Sequence, residues 1–400
     1  MADVFAAVVG QDEAVSTLRA AVAAAAEVVA SGRARPAPPG HTPMTHAWLF
    51  TGPPGSGRSV AARAFAAALQ CDRGGCGECA ACHTTLAGTH ADVRFVVPEG
   101  LTIGVAEMRA LVLRAASAPS LGRWQVLLIE DADRLTEAAG NALLKAIEEP
   151  PPRTVFLLCT PSTHPDDVSV TIRSRCRTVT LRQPSAEAVA AVLIDRDGVE
   201  PQVAAWAAAA GQGHVGRARR LARDPQARHR REIVLAVPRQ LTGVGACFTA
   251  AAALIKAAES EATAAIAELD IREREELQTA LGAGGTGRGA AGATRGSAGA
   301  LRELERRQKS RATRVQRDAL DRALVDLAGF YRDVLVARLG ASVAPVHADA
   351  VPTSRAAASA WSPESALRRL EAILACREAI ELNVKPLIAV EAMMLTLWRG

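Results

Sequence analysis

The stretch GPPGSGRS, residues 52–59, decides how the rest of the chain is read. It nearly spells the phosphate-binding pattern G-x-x-x-x-G-K-[ST]. Gly52, Gly57 and Ser59 fit that pattern, with Pro53, Pro54, Gly55 and Ser56 at its variable positions, but the lysine position holds Arg58. Such a loop brings backbone N–H groups onto phosphate oxygens at a helix N-terminus, where the helix dipole adds positive potential. Ser59 would place its hydroxyl on Mg²⁺. The missing lysine matters, because a compact ammonium normally reaches between the outer phosphates. A guanidinium is longer, planar and differently hydrated. The stretch therefore reads as a working nucleotide site, as a site that has kept its shape and lost its chemistry, or as a Gly-Pro turn with no ligand.

Working outward, the loop lies where its mechanism needs it, after the apolar run AWLFT (residues 47–51) and before a helical pattern over 59–69. Further short apolar runs at 93–97, 124–130, 154–160 and 178–181 are bounded by turn signals, as buried parallel strands are. Helical patterns over 105–117 and 137–149 alternate with them. The second starts on Thr136 as N-cap and stops at Pro150, Pro151 and Pro152, where the rings and missing N–H groups forbid continuation. Alternating strands and helices predict an α/β domain with a five-stranded parallel sheet over residues 1–182. Beyond it the strand signals fade, and the chain reads as a small helical domain over 183–225 and an all-α domain over 226–400. The stretch GAGGTGRGAAGATRGSAGA, residues 282–300, is expected to be a flexible insertion, because it has too little apolar surface to offset its ordering entropy.

Composition narrows the class. The chain has 400 residues, 49% of them hydrophobic but only 3% aromatic, so its cores must be built from Ala, Val and Leu. Its 47 basic residues include only four lysines (145, 256, 309 and 385), the usage of a GC-rich genome, which weakens any argument from one Lys-to-Arg exchange. The net charge of +5 permits nucleic-acid contact without demanding it. Two arginine-rich stretches, 217–231 and 302–317, read as solvated helix faces or as phosphate contacts. The first fifteen residues lack a basic region followed by an apolar run, and the apolar uncharged stretch 240–255 is interrupted by Thr and Gly and too short to span a bilayer. A soluble cytoplasmic protein without membrane contact is expected.

Three further motifs carry chemistry. VLLIEDAD, residues 126–133, puts Glu130 and Asp131 at a strand end near the loop. The usual order there is Asp, which orients the metal shell, then Glu, which positions the attacking water. Reversal displaces each carboxylate by about one methylene, and catalysis is sensitive to such displacements. SRC, at Ser174, Arg175 and Cys176, precedes the last strand; an arginine there is a surface residue by default, or a finger that reaches a neighbour's phosphoryl group. Cys71, Cys76, Cys79 and Cys82 offer four thiolates within twelve residues, suited to one tetrahedral Zn²⁺ with no open position, hence a structural metal. A redox or free-thiol role is the alternative.

With these in order, the chain resembles the AAA+ subunits of bacterial sliding-clamp loaders over roughly residues 3–222, and more weakly at its end. The resemblance rests on VVGQ (8–11), the phosphate loop, the cysteine module, ADV (91–93), LLIEDADRL (127–135), NALLKAIEEPP (141–151), FLLCT (156–160) and SRC. A helicase loader or branch-migration motor would lack the cysteine module and NALLKAIEEPP. Within the family, the motor type called gamma/tau needs the lysine and the Asp-Glu pair, whereas the stator-like delta-prime type has a degraded nucleotide site and keeps SRC. A nucleotide-sensing arginine of the motor falls in GHVGRARRL (213–221), where Gly216 holds its place and Arg217 is one position off. The resemblance thus implies a delta-prime-type subunit of the DNA polymerase III holoenzyme, with the motor type as the alternative. It implies that Arg175 serves the adjacent motor's site as an arginine finger, with Ser174 and Cys176 of the same triplet as site residues beside it. It also implies a Thr160 that matches a nucleotide-sensing position, and ATP and Mg²⁺ weak or absent in the chain's own site. The implied partners are gamma/tau and delta subunits, the sliding clamp and, through the complex, primed DNA. The stretch 383–398 resembles the last helix of the collar these subunits share.

Overall fold

Alternate residues of the three central strands of a five-stranded sheet are buried on opposite faces, and this double burial makes those runs continuous in apolar character, whereas the two edge strands are partly exposed. The computed structural model describes residues 3–32, 43–280 and 290–400. The strands are β1 (Ala47–Thr51), β2 (Val93–Val96), β3 (Gln125–Ile129), β4 (Thr154–Thr160) and β5 (Arg177–Thr180). All pair in parallel, in the order β2-β3-β4-β1-β5. The expected strands are all present, with ends shifted by about one residue.

Helices cover both faces. Trp48, Phe50, Val126, Leu128, Val155 and Leu157 pack on one side with α1 (Asp12–Ala30) and α2 (Arg58–Gln70). There Phe65 of α2 meets Trp48 edge to face, ring centroids 5.0 Å apart. Ala47, Leu49, Leu127, Ile129, Phe156 and Leu158 pack on the other side, with α4 (Val105–Ala115) and α5 (Glu137–Glu148); α3 (Ala80–Leu86) starts at the end of the cysteine segment. Full burial of each large apolar side chain contributes about 1.5–3 kcal/mol. Thr136 caps α5 as its sequence implies, accepting from the Ala139 N–H at 3.3 Å. Helix α1 was not among the expected elements. Its buried positions, Ala14, Leu18, Ala21, Val22, Ala25 and Val28, recur at helical spacing, but so many are alanine that the hydrophobic contrast is muted. After β4 come α6 (Val170–Arg173), β5, α7 (Ala186–Asp195), α8 (Pro201–Ala210) and α9 (Val215–Arg223).

The chain divides into two compact units, Met1–Arg219 and Arg220–Gly400. The second is helical: α10 (Pro225–Gln240), α11 (Val244–Ala280), α12 (Ala290–Leu339), α13 (Val351–Ala360), α14 (Pro363–Glu381) and α15 (Pro386–Arg399). Of the glycine-rich stretch, residues 282–289 lie outside the described residues, and 290–300 form the first turns of α12. Helices α11 and α12 run antiparallel, since Arg311 pairs with Asp270 while the later Arg322 pairs with the earlier Glu261, both at 2.8 Å. Among the described residues no helix is long and apolar enough to cross a membrane.

The two arginine-rich stretches are largely spent on internal contacts. Arg220 and Arg230 converge with Arg322 on Glu261. Arg231, almost fully buried, binds Asp349 and His347. Arg311 clamps both Asp270 and Glu273 of α11, and Arg306 pairs with Glu303. These pairs favour the helix-face reading over the phosphate-contact reading, with cross-helix pairing as the main use of the charge.

Asp92, just before β2, organises the turn that leads into β3. Its carboxylate accepts from the Ser120 N–H and hydroxyl at 2.7 Å each, from the Leu121 N–H at 2.8 Å and from the Gly122 N–H. Burial alone would raise its pKa, but these donors outweigh burial and hold it at about 2. The folded value is depressed, so the stabilisation is fully present above the ordinary carboxylate range, near 4, and is lost as pH falls through about 2. We expect Asp92→Asn to lower unfolding stability at pH 7 by about 2 kcal/mol, because an amide turns a donor toward N–H groups. Urea melts at pH 7 and pH 2.5 check it: the difference between variant and parent should shrink at the lower pH.

Candidate functional site

The C-terminal ends of β1, β4 and β3 lie side by side, with Thr51 in register with Thr160 and Ile129 with Leu158. This end of a parallel sheet is where ligands of open α/β folds bind. The loop 52–57 leaves β1 here and turns into α2. Gly55 and Gly57 both have φ 88°, a conformation costly for any residue with a Cβ. A side chain on Gly52 would strike the Leu181 carbonyl at 2.4 Å, and one on Gly55 would strike His214 at 2.8 Å. Gly57, at the N-cap of α2, faces open space. Gln11, from VVGQ, donates to the Arg182 carbonyl and, at 3.4 Å, to the Ser56 carbonyl, tying the loop to the end of β5. The backbone thus keeps a phosphate-loop shape, framed by Pro53, Pro54, Ser56 and Ser59.

The side chains around it have other partners. Arg58 acts electrostatically on Asp133 and on buried Cys159, and its Nη1 is buried without a hydrogen-bond partner among the described residues. Glu130 is bound by Arg63 of α2, Nε to Oε1 at 2.9 Å and Nη2 to Oε1 at 2.8 Å. The Arg63 guanidinium in turn lies over the Phe95 ring, 4.5 Å from its centroid. A cation of the protein therefore occupies the carboxylate that would orient a metal shell. Asp131 follows in the left-handed region at φ 51°, which turns the chain sharply at the strand end. Thr160, fully buried, donates its hydroxyl to the Ser162 carbonyl at 2.8 Å. Burial raises the Asp133 pKa, and the nearby Asp131 charge adds to that.

The SRC triplet lies at the other end of the sheet. Arg177, the first residue of β5, is in register with Trp48 near the start of β1, and Ser174, Arg175 and Cys176 come before it. Arg175 is exposed and pairs with Glu148 at 2.8 Å. Cys176 is half-buried and packs against the core beneath the sheet, and burial pushes its thiol up to about 12.

The four cysteines do converge. Cys71 caps the end of α2, and Cys79 caps the start of α3 by accepting from the Cys82 N–H at 3.4 Å. All four Sγ atoms lie within 4.8 Å of one another. The Cys71–Cys76 and Cys79–Cys71 separations are 3.6 and 3.7 Å. Sulfurs around a tetrahedral zinc at ~2.3 Å stand about 3.8 Å apart, whereas a disulfide needs ~2.05 Å, so the set fits one shared metal. Backbone donation led by Glu78 brings the Cys76 thiol down to about 6, toward the thiolate a metal requires.

Three residues that shape these sites were not among the candidates read from sequence. Arg63 lies four positions after Ser59 on α2, a spacing that puts both on one helix face, but nothing in the sequence pairs it with Glu130. His214 reaches Gly55 from the segment before α9. Glu148 is one letter of NALLKAIEEPP with no role legible from spacing.

Residues 40–185 match the family described as DNA polymerase III, delta subunit. The chain is 41% identical over 143 residues to DNA polymerase III subunit delta' of Pseudomonas aeruginosa, covering 34% of this chain and 43% of that protein. It is 34% identical over 164 residues to subunit delta' of Bacillus subtilis (40% and 49%), and 36% identical over 150 residues to subunit tau of Bacillus subtilis (36% and 26%). The matches thus span half or less of each of these curated relatives.

The cysteine geometry sets an expected outcome. Elemental analysis of the purified chain should find about one zinc per chain. Cys79→Ser should release it and lower unfolding stability by about 3 kcal/mol or more, with the loss confined to stability. Full stability without bound metal would remove the assignment.

Proposed function

We propose that this bacterial clamp-loader AAA+ subunit acts in the delta-prime manner: it joins the DNA polymerase III clamp loader, donates Arg175 to a neighbouring ATPase subunit, and hydrolyses little or no ATP itself. The observation that carries the reading is the Arg63–Glu130 pair, with Arg63 stacked on Phe95. It sets a fixed cation where a motor would coordinate Mg²⁺, and it adds to Arg58 in place of lysine, the reversed Glu130-Asp131 order, and a Thr160 hydroxyl already bound. The relatives include subunits called tau as well as delta', so similarity alone does not choose between the two types.

Arg175 supports the same reading. It lies at the end of the sheet opposite the chain's own phosphate loop, the four-residue register of β1 with β5 separating them by roughly 10 Å along the strands. A phosphate it touches would belong to another subunit. In this reading residues 183–225 form the lid, 226–400 the collar that assembles with gamma/tau and delta, and the cysteine module holds a structural zinc that stabilises a surface knob. The chain works in the cytoplasm, on the sliding clamp and primed DNA, through the complex.

Reconstitution tests it. Arg175→Ala should leave assembly intact and reduce turnover at the site it serves by about 10³-fold, the scale of a transferred arginine finger. The isolated chain should turn over no ATP. Rapid partner-free hydrolysis, abolished by changing Arg58 or Asp131, would instead establish a motor subunit.

A further inference from the structure

We infer that Glu148 is the positioning residue for Arg175, an inference that rests on the finger role proposed above. Glu148 ends α5 because three prolines follow within four residues. Its place relative to α6 is fixed from below: Leu143 and Ile147 of α5 share a core with Ile172 of α6, and Ile172 comes close over Gly140, where a Cβ would stand 3.7 Å from it. The carboxylate therefore sits at the rim of a packed contact, although it is itself exposed.

Against that rim the guanidinium is held on three acceptors. Nη2 meets Glu148 Oε1 at 2.8 Å, and Nη1 donates to the Thr171 carbonyl at 3.0 Å and to Ser174 Oγ at 3.3 Å. Ser174 is steadied by donating its own hydroxyl to the same Thr171 carbonyl at 3.0 Å. Arginine carries five N–H donors in a planar fork. Three contacts leave two, the Nε–H and one Nη2–H, for a phosphoryl oxygen arriving from outside. A long arginine on a loop would otherwise sample many rotamers, and each must be given up on reaching the transition state. An exposed ion pair of this kind contributes little to folding. Its consequence lies in orientation: one acceptor on α6, one on Ser174 beside the finger and one on α5 fix the plane of the fork before the neighbour's nucleotide arrives. Ser174 acts in the same way from within the triplet.

The test uses the reconstituted assembly, with ATP turnover measured for parent, Glu148→Ala, Glu148→Gln, Arg175→Ala and the Glu148→Ala/Arg175→Ala double variant. With assembly of each variant complex first shown equal to the parent's by gel filtration, so that loss of folded subunit is excluded, Glu148→Ala should lower kcat about tenfold with KM for ATP changed less than about twofold. Glu148→Gln keeps an acceptor oxygen and should restore most of the rate. The double variant should equal Arg175→Ala alone, because both act through one guanidinium. If Arg175→Ala lowers turnover while Glu148→Ala leaves it unchanged or raises it, the positioning role fails and the finger stands. Additive losses in the double variant would also overturn it. If Arg175→Ala has no effect, the finger reading itself fails.

Discussion

Parallel pairing gives this sheet two chemically different ends, and the rest of the first unit depends on that polarity. The strands can be parallel only because helices bury both faces, with Trp48 and Phe50 on one side and Leu49, Phe156 and Leu158 on the other. Every β-to-α turn then falls at one end, where helix N-termini and strand carboxyl ends meet. Every α-to-β turn falls at the other end, where SRC leads into β5. The glycine loop after β1 and the SRC triplet before β5 therefore stand at opposite ends.

The carboxyl end of the sheet is filled by charge already inside the protein. A functional loop needs unengaged carboxylates to hold a metal and a cation that reaches outward to phosphate. Here Glu130 answers to Arg63, Thr160 to the Ser162 carbonyl, and the Gly55 backbone closes on His214. Arg58 lies close enough to act on Asp133 and Cys159. The loop's backbone survives because its glycines also serve the fold: Gly52 and Gly55 have no room for a side chain.

The second unit shows how a chain rich in arginine and poor in aromatics holds long helices together. Its core contains Phe330, Tyr331 and Trp361, with Tyr331 and Trp361 stacked 5.7 Å apart, but much of the α11–α12 contact beyond that core is polar. Arg311 and Arg322 reach across to Asp270, Glu273 and Glu261, using a planar fork that satisfies carboxylates two at a time. Such arginines spend their positive charge on carboxylates within the unit.

The sequence alone determined the α/β sheet, the helical second half, the phosphate-loop backbone, Thr136 as a cap and the cysteine cluster. Each is a local signal: strand-length apolar runs, prolines that stop helices, glycines at turn positions, ligands within twelve residues of one another. Helix α1 was muted by alanine, which fits a core and a surface equally well. Tertiary structure decided which charges meet. Arg63 with Glu130 spans 67 positions and Arg175 with Glu148 spans 27, and no spacing rule links residues on different elements. The opposite locations of SRC and the phosphate loop follow from parallel pairing, since the loop leaves a strand and SRC enters one; the register fixed their separation along the strands. Partner choice for long side chains depends on which elements the core packs together, and that is written in volume and burial across the whole chain.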